Sequence, residues 1–240
     1  MELGHSLVIV AAYYFLWQSI YLNSTSVATY TLAQMVTYVC ITRAFRAMNV
    51  GDLDFEIYSR VRSGTVAVDL LRPIGFIRLM ILRALGRTSA AVLWLSMPIV
   101  VFGIAAFGVA LPASFGAAML FCCSGALSLI ITLLLTLCIG LVSFWWIEIG
   151  YILWAKTFVI SFFSGALLPI AFFPLWLKTI TFALPFHTMV HVPLQIYLGR
   201  MVAADIWTAF AAQLIWLGLL YFVTAKIMKF AYRQLEVQGG

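Results

Sequence analysis

Charged side chains concentrate in one stretch of the sequence, from Arg43 to Arg87. This stretch holds eight of the chain's 14 Lys and Arg residues and four of its 8 Asp and Glu residues. Apolar sequence flanks it on both sides, and it is too short to bury a core of its own. The stretch is therefore predicted to be a loop that contacts another component, either lipid headgroups or a soluble partner.

Residues 53–63 of this stretch are predicted to form a short amphipathic helix. Leu53, Ile57 and Val61 recur at i, i+4 and i+8 and share one face. Acidic residues stand at the start and basic residues at the end, which matches the helix dipole. Asp52 or Asp54 can cap it, and Gly64 can end it. The apolar face is expected to rest on the membrane or to dock into a partner's groove, and we favour docking.

A stiff turn is predicted to follow this helix, at Asp69-Leu-Leu-Arg72-Pro73. Pro73 disfavours a helical conformation at Arg72. Residues 76–85 are apolar apart from Arg78 and Arg83, which do not share a face. This part is predicted to be an interfacial lead-in to the next membrane span.

Other residues with reactive side chains carry weaker signals. His187 and His191 stand four apart, which can place two metal ligands on one helix face. No acid or Cys lies close by in sequence, so we interpret them as interfacial imidazoles.

The cysteines lie in apolar stretches and are interpreted as buried small residues: Cys40, Cys122, Cys123 and Cys138. No G-x-x-x-x-G-K-S/T loop occurs in the chain, so no nucleotide site of that type is predicted.

The composition is that of an integral membrane protein. Of 240 residues, 65% are hydrophobic and only 9% are charged, whereas soluble domains carry about 25% charged residues. The formal net charge of +6 is interpreted as positive-inside topology and contact with anionic lipid. Nucleic acid is not expected as a partner.

The apolar runs predict one all-α transmembrane domain over residues 1–240, because six of them reach the length that spans a bilayer. The predicted spans are residues 3–22, 27–48, 89–111, 115–142, 151–172 and 206–228, with a kink at Pro98 in the third. A cytoplasmic loop is expected at residues 49–88. Residues 173–204, which prolines interrupt, are expected to form short extracellular helices that are interfacial or re-entrant.

Positive charge sets the predicted orientation. With residues 49–88 inside, Lys226, Lys229 and Arg233 lie on the same side, so both termini are expected in the cytoplasm. Glu148 and Lys156 are the only ionisable residues expected near the membrane within the spans. Because ion-coupled transporters keep charged relays at mid-membrane, this pattern disfavours a secondary transporter.

A co-linear set of motifs resembles the permease subunits of the ABC type-2 exporter family. One motif is R-x-G-x-x-x-x-x-L-L-R-P, at residues 62–73. Others are G-A-L-L-P-I-A-F-F-P-L-W-L at residues 165–177, L-P-F at 184–186 and P-L-Q-I-Y-L-G at 193–199. The resemblance extends over nearly the whole chain, with six spans in the expected order.

The resemblance implies positions for the functional elements. A coupling helix between spans two and three maps onto residues 52–63, and short extracellular helices map onto residues 174–199. The coupling residues are Leu53, Asp54, Phe55, Glu56, Ile57, Tyr58, Arg60, Val61, Arg62 and Gly64. The re-entry turn comprises Asp69, Arg72 and Pro73, and the extracellular gate comprises Gly165, Pro169, Pro174, Trp176, Pro185, Phe186 and Pro193.

The resemblance also implies a function. Such a subunit is not itself an enzyme, and it exports amphipathic or hydrophobic molecules such as drugs, antibiotics, lipids or glycan carriers. ATP and Mg are expected on a separate cytoplasmic ATPase subunit, present in two copies. A second permease, identical or paralogous, and membrane lipids are the other expected partners, in the plasma (inner) membrane of a prokaryote. An ATP-independent secondary carrier or channel is the alternative, and a membrane-embedded lipid enzyme fits less well.

One feature of the family is not matched by the sequence. Family members usually start with a basic interfacial helix before the first span, and only Met1 to Ser6 stand in that place here. Either the start lies upstream or this member lacks the helix. Nothing attributed to that helix is carried over.

Overall fold

The computed structural model describes residues 2–23, 25–48, 53–70, 72–146 and 148–238, and helices dominate these ranges. The α-helices are α1 (Glu2–Tyr21), α2 (Leu32–Ala47), α3 (Leu53–Arg62), α4 (Val66–Leu70), α5 (Phe76–Ala91), α6 (Met97–Phe107), α7 (Phe115–Leu141), α8 (Gly150–Phe163), α9 (Leu175–Ala183), α10 (His191–Tyr197) and α11 (Ala203–Gln238). The described residues form no strand, only an isolated bridge between Val27 and Tyr30. The predicted all-α class is confirmed for this part of the chain.

Four helical stretches are long and apolar enough to cross a membrane. Among the described residues they are Glu2–Tyr21, Phe76–Phe107, Phe115–Phe144 and Ala203–Ala231. They correspond to the first, third, fourth and sixth predicted spans. The chain is therefore a multi-pass membrane protein.

The second and fifth predicted spans contain shorter helices. α2 has 16 residues and α8 has 14, or about 24 and 21 Å, against a hydrocarbon core of about 30 Å. α2 begins late because Ala28 and Thr29 adopt positive φ angles, and a capping box at Thr31 then starts the helix. α8 is followed by Gly165, whose φ is also positive. The count of six spans stays a prediction.

The third predicted span begins earlier than expected. Its helix runs from Phe76 to Phe107 without interruption, so the predicted lead-in is a rigid extension of the span. A π-helical interval at Val92–Ser96 joins α5 to α6, and Pro98 lies in the first turn of α6. Proline lacks an N–H, and its ring clashes with the carbonyl four residues earlier. The wider π turn accommodates the predicted perturbation at Pro98.

α7 lies at the centre of the fold, against α3, α10 and α11. A buried polar cluster joins it to α11, where the Gln213 side-chain amide donates to the Ser124 and Thr188 carbonyls and to Ser128 Oγ at 3.0–3.1 Å. Ser124 Oγ donates back to Gln213 Oε1 at 3.1 Å. None of these side chains has a buried polar atom without a hydrogen-bond partner, so the cluster joins α7 to α11 with its polar groups satisfied.

The region after α8 contains three short elements. They are α9, a 3₁₀ turn at Pro185–Thr188, and α10. α10 is almost wholly buried against α7, whereas α9 exposes Leu175, Trp176 and Phe182. An exposed aromatic face is typical of a helix at a membrane interface. That this region lies outside the cell stays a prediction.

Candidate coupling and transport site

The apolar face of α3 lies inside the protein. The Leu53 and Ile57 side chains are both 0% exposed, in a cluster with residues of α5 and α7. Val61 packs against the same cluster. The expectation that this face points to a partner's groove or to the membrane is therefore wrong. Sequence periodicity identifies an apolar face but not what covers it. Here the face is covered by α7 of the same chain, and not by a partner or by lipid.

A glycine on α7 allows α3 to approach closely. A Cβ atom at Gly140 would lie 2.8 Å from Asp54 Cα and 3.0 Å from Ile57 Cδ1. A real Cβ does not approach a backbone carbon this closely, so any larger residue would push the two helices apart. The 3₁₀ turn that follows α7, Val142–Phe144, also contacts α3.

A buried ion pair joins α3 to α8. The Lys156 ammonium lies 2.5 Å from Asp54 Oδ2, and the two side chains are 8% and 0% exposed. Burial raises the pKa of the Asp54 carboxyl, and the Lys156 ammonium opposes the shift. The pair connects residues 102 positions apart in sequence. Removal of one member of a buried pair leaves an uncompensated charge, so a substitution of either residue alone would disturb the contact between α3 and α8.

A second ionic cluster surrounds Glu56. Its carboxylate contacts Arg60 and Arg83 at 3.2 Å and Arg87 at 2.6 Å. Arg60 also bonds to Asp69 of α4. Glu56 thus links α3 to α5, and Arg60 is engaged within its own chain and is not held out toward a partner.

Arg62 differs from Arg60 in its surroundings. Its side chain is 59% exposed and lies 4.0 Å from the exposed Glu148. It also lies over the Tyr58 ring and donates to the Tyr58 hydroxyl at 3.1 Å. The end of α3, from Arg62 to the left-handed Gly64, is exposed. Of the residues assigned to coupling, Arg62 and Gly64 are exposed and Tyr58 is half-buried. Their contact with a partner stays a prediction.

The predicted re-entry turn is a bend between α4 and α5. Asp69 is buried and accepts from the exposed Arg72 at 3.2 Å. Pro73 is exposed, and Gly75 caps α5. Asp52 and Leu71, which belong to the predicted cap and to the sequence motif, lie outside the described residues.

A cavity of about 320 Å³ opens between α2, α3, α7 and α8. Its lining is mostly apolar but includes two cations, Arg46 and Lys156, and a series of hydroxyls. The hydroxyl residues are Ser128, Thr132, Thr136, Thr157, Ser161 and Ser164. Phe55 of α3 and Trp154 of α8 lie edge to face with ring centres 5.6 Å apart, and both line this cavity.

The hydroxyls on α7 present acceptors to the cavity. Thr132 and Thr136 donate to the carbonyls of Ser128 and Thr132 at 2.8 Å, so their protons are occupied. Their oxygen lone pairs remain available to a ligand. Apolar walls with a few polar groups and two cations suit an amphipathic molecule.

The residues assigned to the extracellular gate are not equivalent. Gly165, Pro169, Pro185 and Pro193 are buried and Phe186 is half-buried, whereas Pro174 and Trp176 are exposed. A Cβ at Gly165 would lie 2.8 Å from the Tyr38 hydroxyl, which donates to the Gly165 carbonyl at 2.8 Å. Whether these residues form a gate stays a prediction.

The histidines and cysteines are mostly structural. His187 is buried, and its Nδ1 lies 2.7 Å from the Leu184 carbonyl oxygen, so it is not an interfacial imidazole. Cys40 is buried, but Cys122 and Cys123 are exposed on α7, where burial had been expected. Within the described residues, no group of three or more His, Cys, Asp or Glu could hold a metal.

Sequence reasoning missed the Asp54–Lys156 pair and the Gln213 cluster. Lys156 lies 102 positions from Asp54, and Gln213 lies 89 positions from Ser124 and 25 from Thr188. No local spacing indicates such contacts. The only available signal was a Lys within an apolar run, since an intramembrane charge requires a partner.

The chain was compared with known proteins. The family model described as ABC-2 family transporter protein matches residues 7–239. No match was found among curated proteins or among solved structures. With nearly the whole chain covered by that family, with spans of membrane length and with a lined cavity, this protein belongs to the ABC-2 transporter family and is a multi-pass membrane permease.

Proposed function

We propose that this permease exports amphipathic molecules and that a separate cytoplasmic ATPase subunit, present in two copies, supplies the energy. A second permease, identical or related, completes the path. ATP and Mg bind to the ATPase, and the end of the molecule that carries α3 faces the cytoplasm of a prokaryotic cell.

One observation carries the proposal: α3 is part of the cavity wall. Phe55 lines the cavity, and Asp54 pairs with Lys156, which lines it too. A displacement of α3 by a partner therefore changes the shape of the cavity directly. The exposed end of α3, around Arg62, provides the surface on which a partner can act.

Filling the cavity tests this function. Thr132→Phe places a ring in the cavity, and Thr208→Phe, at an exposed position on α11, is the matched control. The permease and its ATPase are reconstituted in liposomes, and ATP-dependent movement of a panel of fluorescent amphipathic dyes is measured. Thr132→Phe should reduce dye transport about tenfold, or about 1.4 kcal/mol, with the complex still assembled.

Two results would contradict the proposal. Equal transport by both variants would mean that the cavity is not on the path. Dye movement by the permease alone, without ATP or the ATPase, would favour the secondary carrier or channel.

A further inference from the structure

A second groove lies at the α3 end of the molecule, between α1, α2 and the α5–α6 helix. Its volume is about 620 Å³. The cavity described above lies between α2, α3, α7 and α8, and among the described residues only Arg46 lines both. The groove is also lined by Glu2, Arg43, Arg87, Ala91, Trp94 and Leu95.

One part of the groove is strongly basic. Arg43, Arg46 and Arg87 contribute three guanidinium groups, and among the described residues of the lining only Glu2 contributes a carboxylate. Arg43 and Arg46 are three residues apart and share a face of α2. Among the described residues neither has an acidic partner, whereas Arg87 is paired with Glu56.

Arg43 is held in position although its charge is not neutralised. One terminal nitrogen donates to Ser6 Oγ at 3.1 Å, while the buried Nε has no hydrogen-bond partner. An unpaired buried donor on a cation is costly. Because the Arg43 side chain lines the groove, an anion bound there would neutralise its charge.

The other part of the groove is apolar and follows a membrane-spanning helix. Arg87 is the last charged residue of the helix Phe76–Phe107, and the 20 positions that follow it in this helix, 88–107, are uncharged. They extend over about 30 Å, which matches the hydrocarbon core. Trp94 lies two turns further along, about 10 Å from the level of Arg87, and is 76% exposed. A bilayer whose hydrocarbon core matches this part of the helix places the charges of the groove at headgroup level and its tryptophan at the level of the acyl chains.

We propose that this groove binds an anionic phospholipid from the leaflet at the α3 end of the molecule. The phosphate lies against Arg43 and Arg46, and an acyl chain lies along Ala91, Trp94 and Leu95. A soluble anion would satisfy the guanidinium groups but would leave the apolar wall uncovered. The inference does not depend on the transport proposal, because it concerns binding in the absence of ATP or substrate.

The test measures lipid binding to the purified full-length permease. The protein is placed in neutral detergent and titrated with fluorescent phosphatidylglycerol or with phosphatidylcholine of the same chain length. Phosphatidylglycerol should bind preferentially, and Arg46→Gln should weaken it about fivefold without changing phosphatidylcholine binding. Arg78→Gln removes the same charge from an exposed position of α5 outside the groove and should have no effect.

A second variant tests the apolar part of the groove. Trp94→Ala should weaken both lipids and retain the preference for the anionic one. Glycerol phosphate should not compete, since it lacks acyl chains. Competition by glycerol phosphate at concentrations similar to the lipid, or equal losses in Arg46→Gln and Arg78→Gln, would overturn the proposal. Thermal unfolding of each variant separates loss of binding from loss of fold.

Discussion

Midway along α8 the helix is joined to α3 by opposite charges, and just beyond its C-terminal end, here called the neutral end, the chain is held by neutral hydrogen bonds. Lys156, in the middle of α8, contacts Asp54. At the neutral end, the Gly165 carbonyl accepts from the Tyr38 hydroxyl, and the Ser164 carbonyl accepts from the His191 N–H at 3.2 Å. Coulombic attraction decreases gradually with distance, whereas a hydrogen bond is lost beyond about 3.5 Å. The contact with α3 therefore tolerates small displacements of the helices, and the turn at Gly165 does not.

This difference suggests a division of roles along α8. The charged contact at the middle of α8 can follow α3 while remaining bound to it, so it is suited to transmit movement. The neutral end is fixed to α2 and α10, so it is suited to act as a pivot. Substitutions at these two places should therefore differ in size and in kind.

The largest effect is expected from Lys156→Met. It removes the ammonium from the buried Asp54 carboxylate, and breaking such a pair costs about 3–5 kcal/mol. The free energy of unfolding should fall by this order, and ATP hydrolysis should no longer be coupled to dye transport. Lys178→Met on α9, which has no ion pair among the described residues, is the control.

The pair's contribution can be isolated by a double-mutant cycle. Adding Asp54→Asn to Lys156→Met should recover part of the lost stability, because no buried charge remains. The loss in Lys156→Met should also shrink at acidic pH. Burial raises the pKa of Asp54, so the folded state binds a proton more readily than the unfolded state and gains relative stability as the pH falls. An interaction energy below about 0.5 kcal/mol would show that the pair does not join the helices.

The next largest loss of stability is expected at the close contact between α3 and α7. Gly140→Ala places a Cβ against the Asp54 backbone, and overpacking of this kind costs about 1–3 kcal/mol. Gly218→Ala on α11 is the matched control, because nothing lies within 4 Å of its Cβ position. Since Ala is the better helix former by about 1 kcal/mol, the control should be neutral or stabilising. Thermal unfolding of both variants gives the comparison, and equal behaviour would mean that α3 is not held tightly against α7.

The hydrogen bond at the neutral end should contribute less. Tyr38→Phe removes only the hydroxyl that donates to the Gly165 carbonyl, and a single hydrogen bond contributes about 1 kcal/mol. Unfolding should shift by this amount, while transport remains coupled to ATP hydrolysis. Tyr221→Phe, at an exposed position of α11, should have no effect. Uncoupling by Tyr38→Phe would show that this end transmits movement as well.

Periodicity and composition predicted most of the helices but not their neighbours. The i, i+4, i+8 pattern at Leu53, Ile57 and Val61 located α3 correctly, and the long apolar runs located the four spans. The pattern did not reveal that α7 covers this face, because a buried surface looks the same in sequence whichever element covers it. Similarly, Asp54 and Arg60 are ordinary charged residues in sequence. Only the folded chain brings Lys156 beside one and Asp69 beside the other.

The smallest effect on stability is expected at Arg62, where the sharpest test of partner contact lies. Its side chain is 59% exposed with one distant acidic neighbour, so Arg62→Gln should change unfolding by less than about 0.5 kcal/mol. Arg60→Gln should destabilise more, since Arg60 bridges Glu56 and Asp69. The order should reverse when binding of the ATPase subunit to the permease in liposomes is measured.

Arg62→Lys then distinguishes the two surfaces that Arg62 can meet. A lipid phosphate binds Arg and Lys about equally well. A protein carboxylate can form two parallel hydrogen bonds with the planar guanidinium of Arg but not with the ammonium of Lys, so it binds Lys less well. Weaker ATPase binding by Arg62→Lys with unchanged stability would therefore favour a protein carboxylate at the end of α3. Normal ATPase binding by both Arg62→Gln and Arg62→Lys would exclude this end of the helix from the contact. Transmission would then have to pass through residues of α3 that are already buried against α7 and α8.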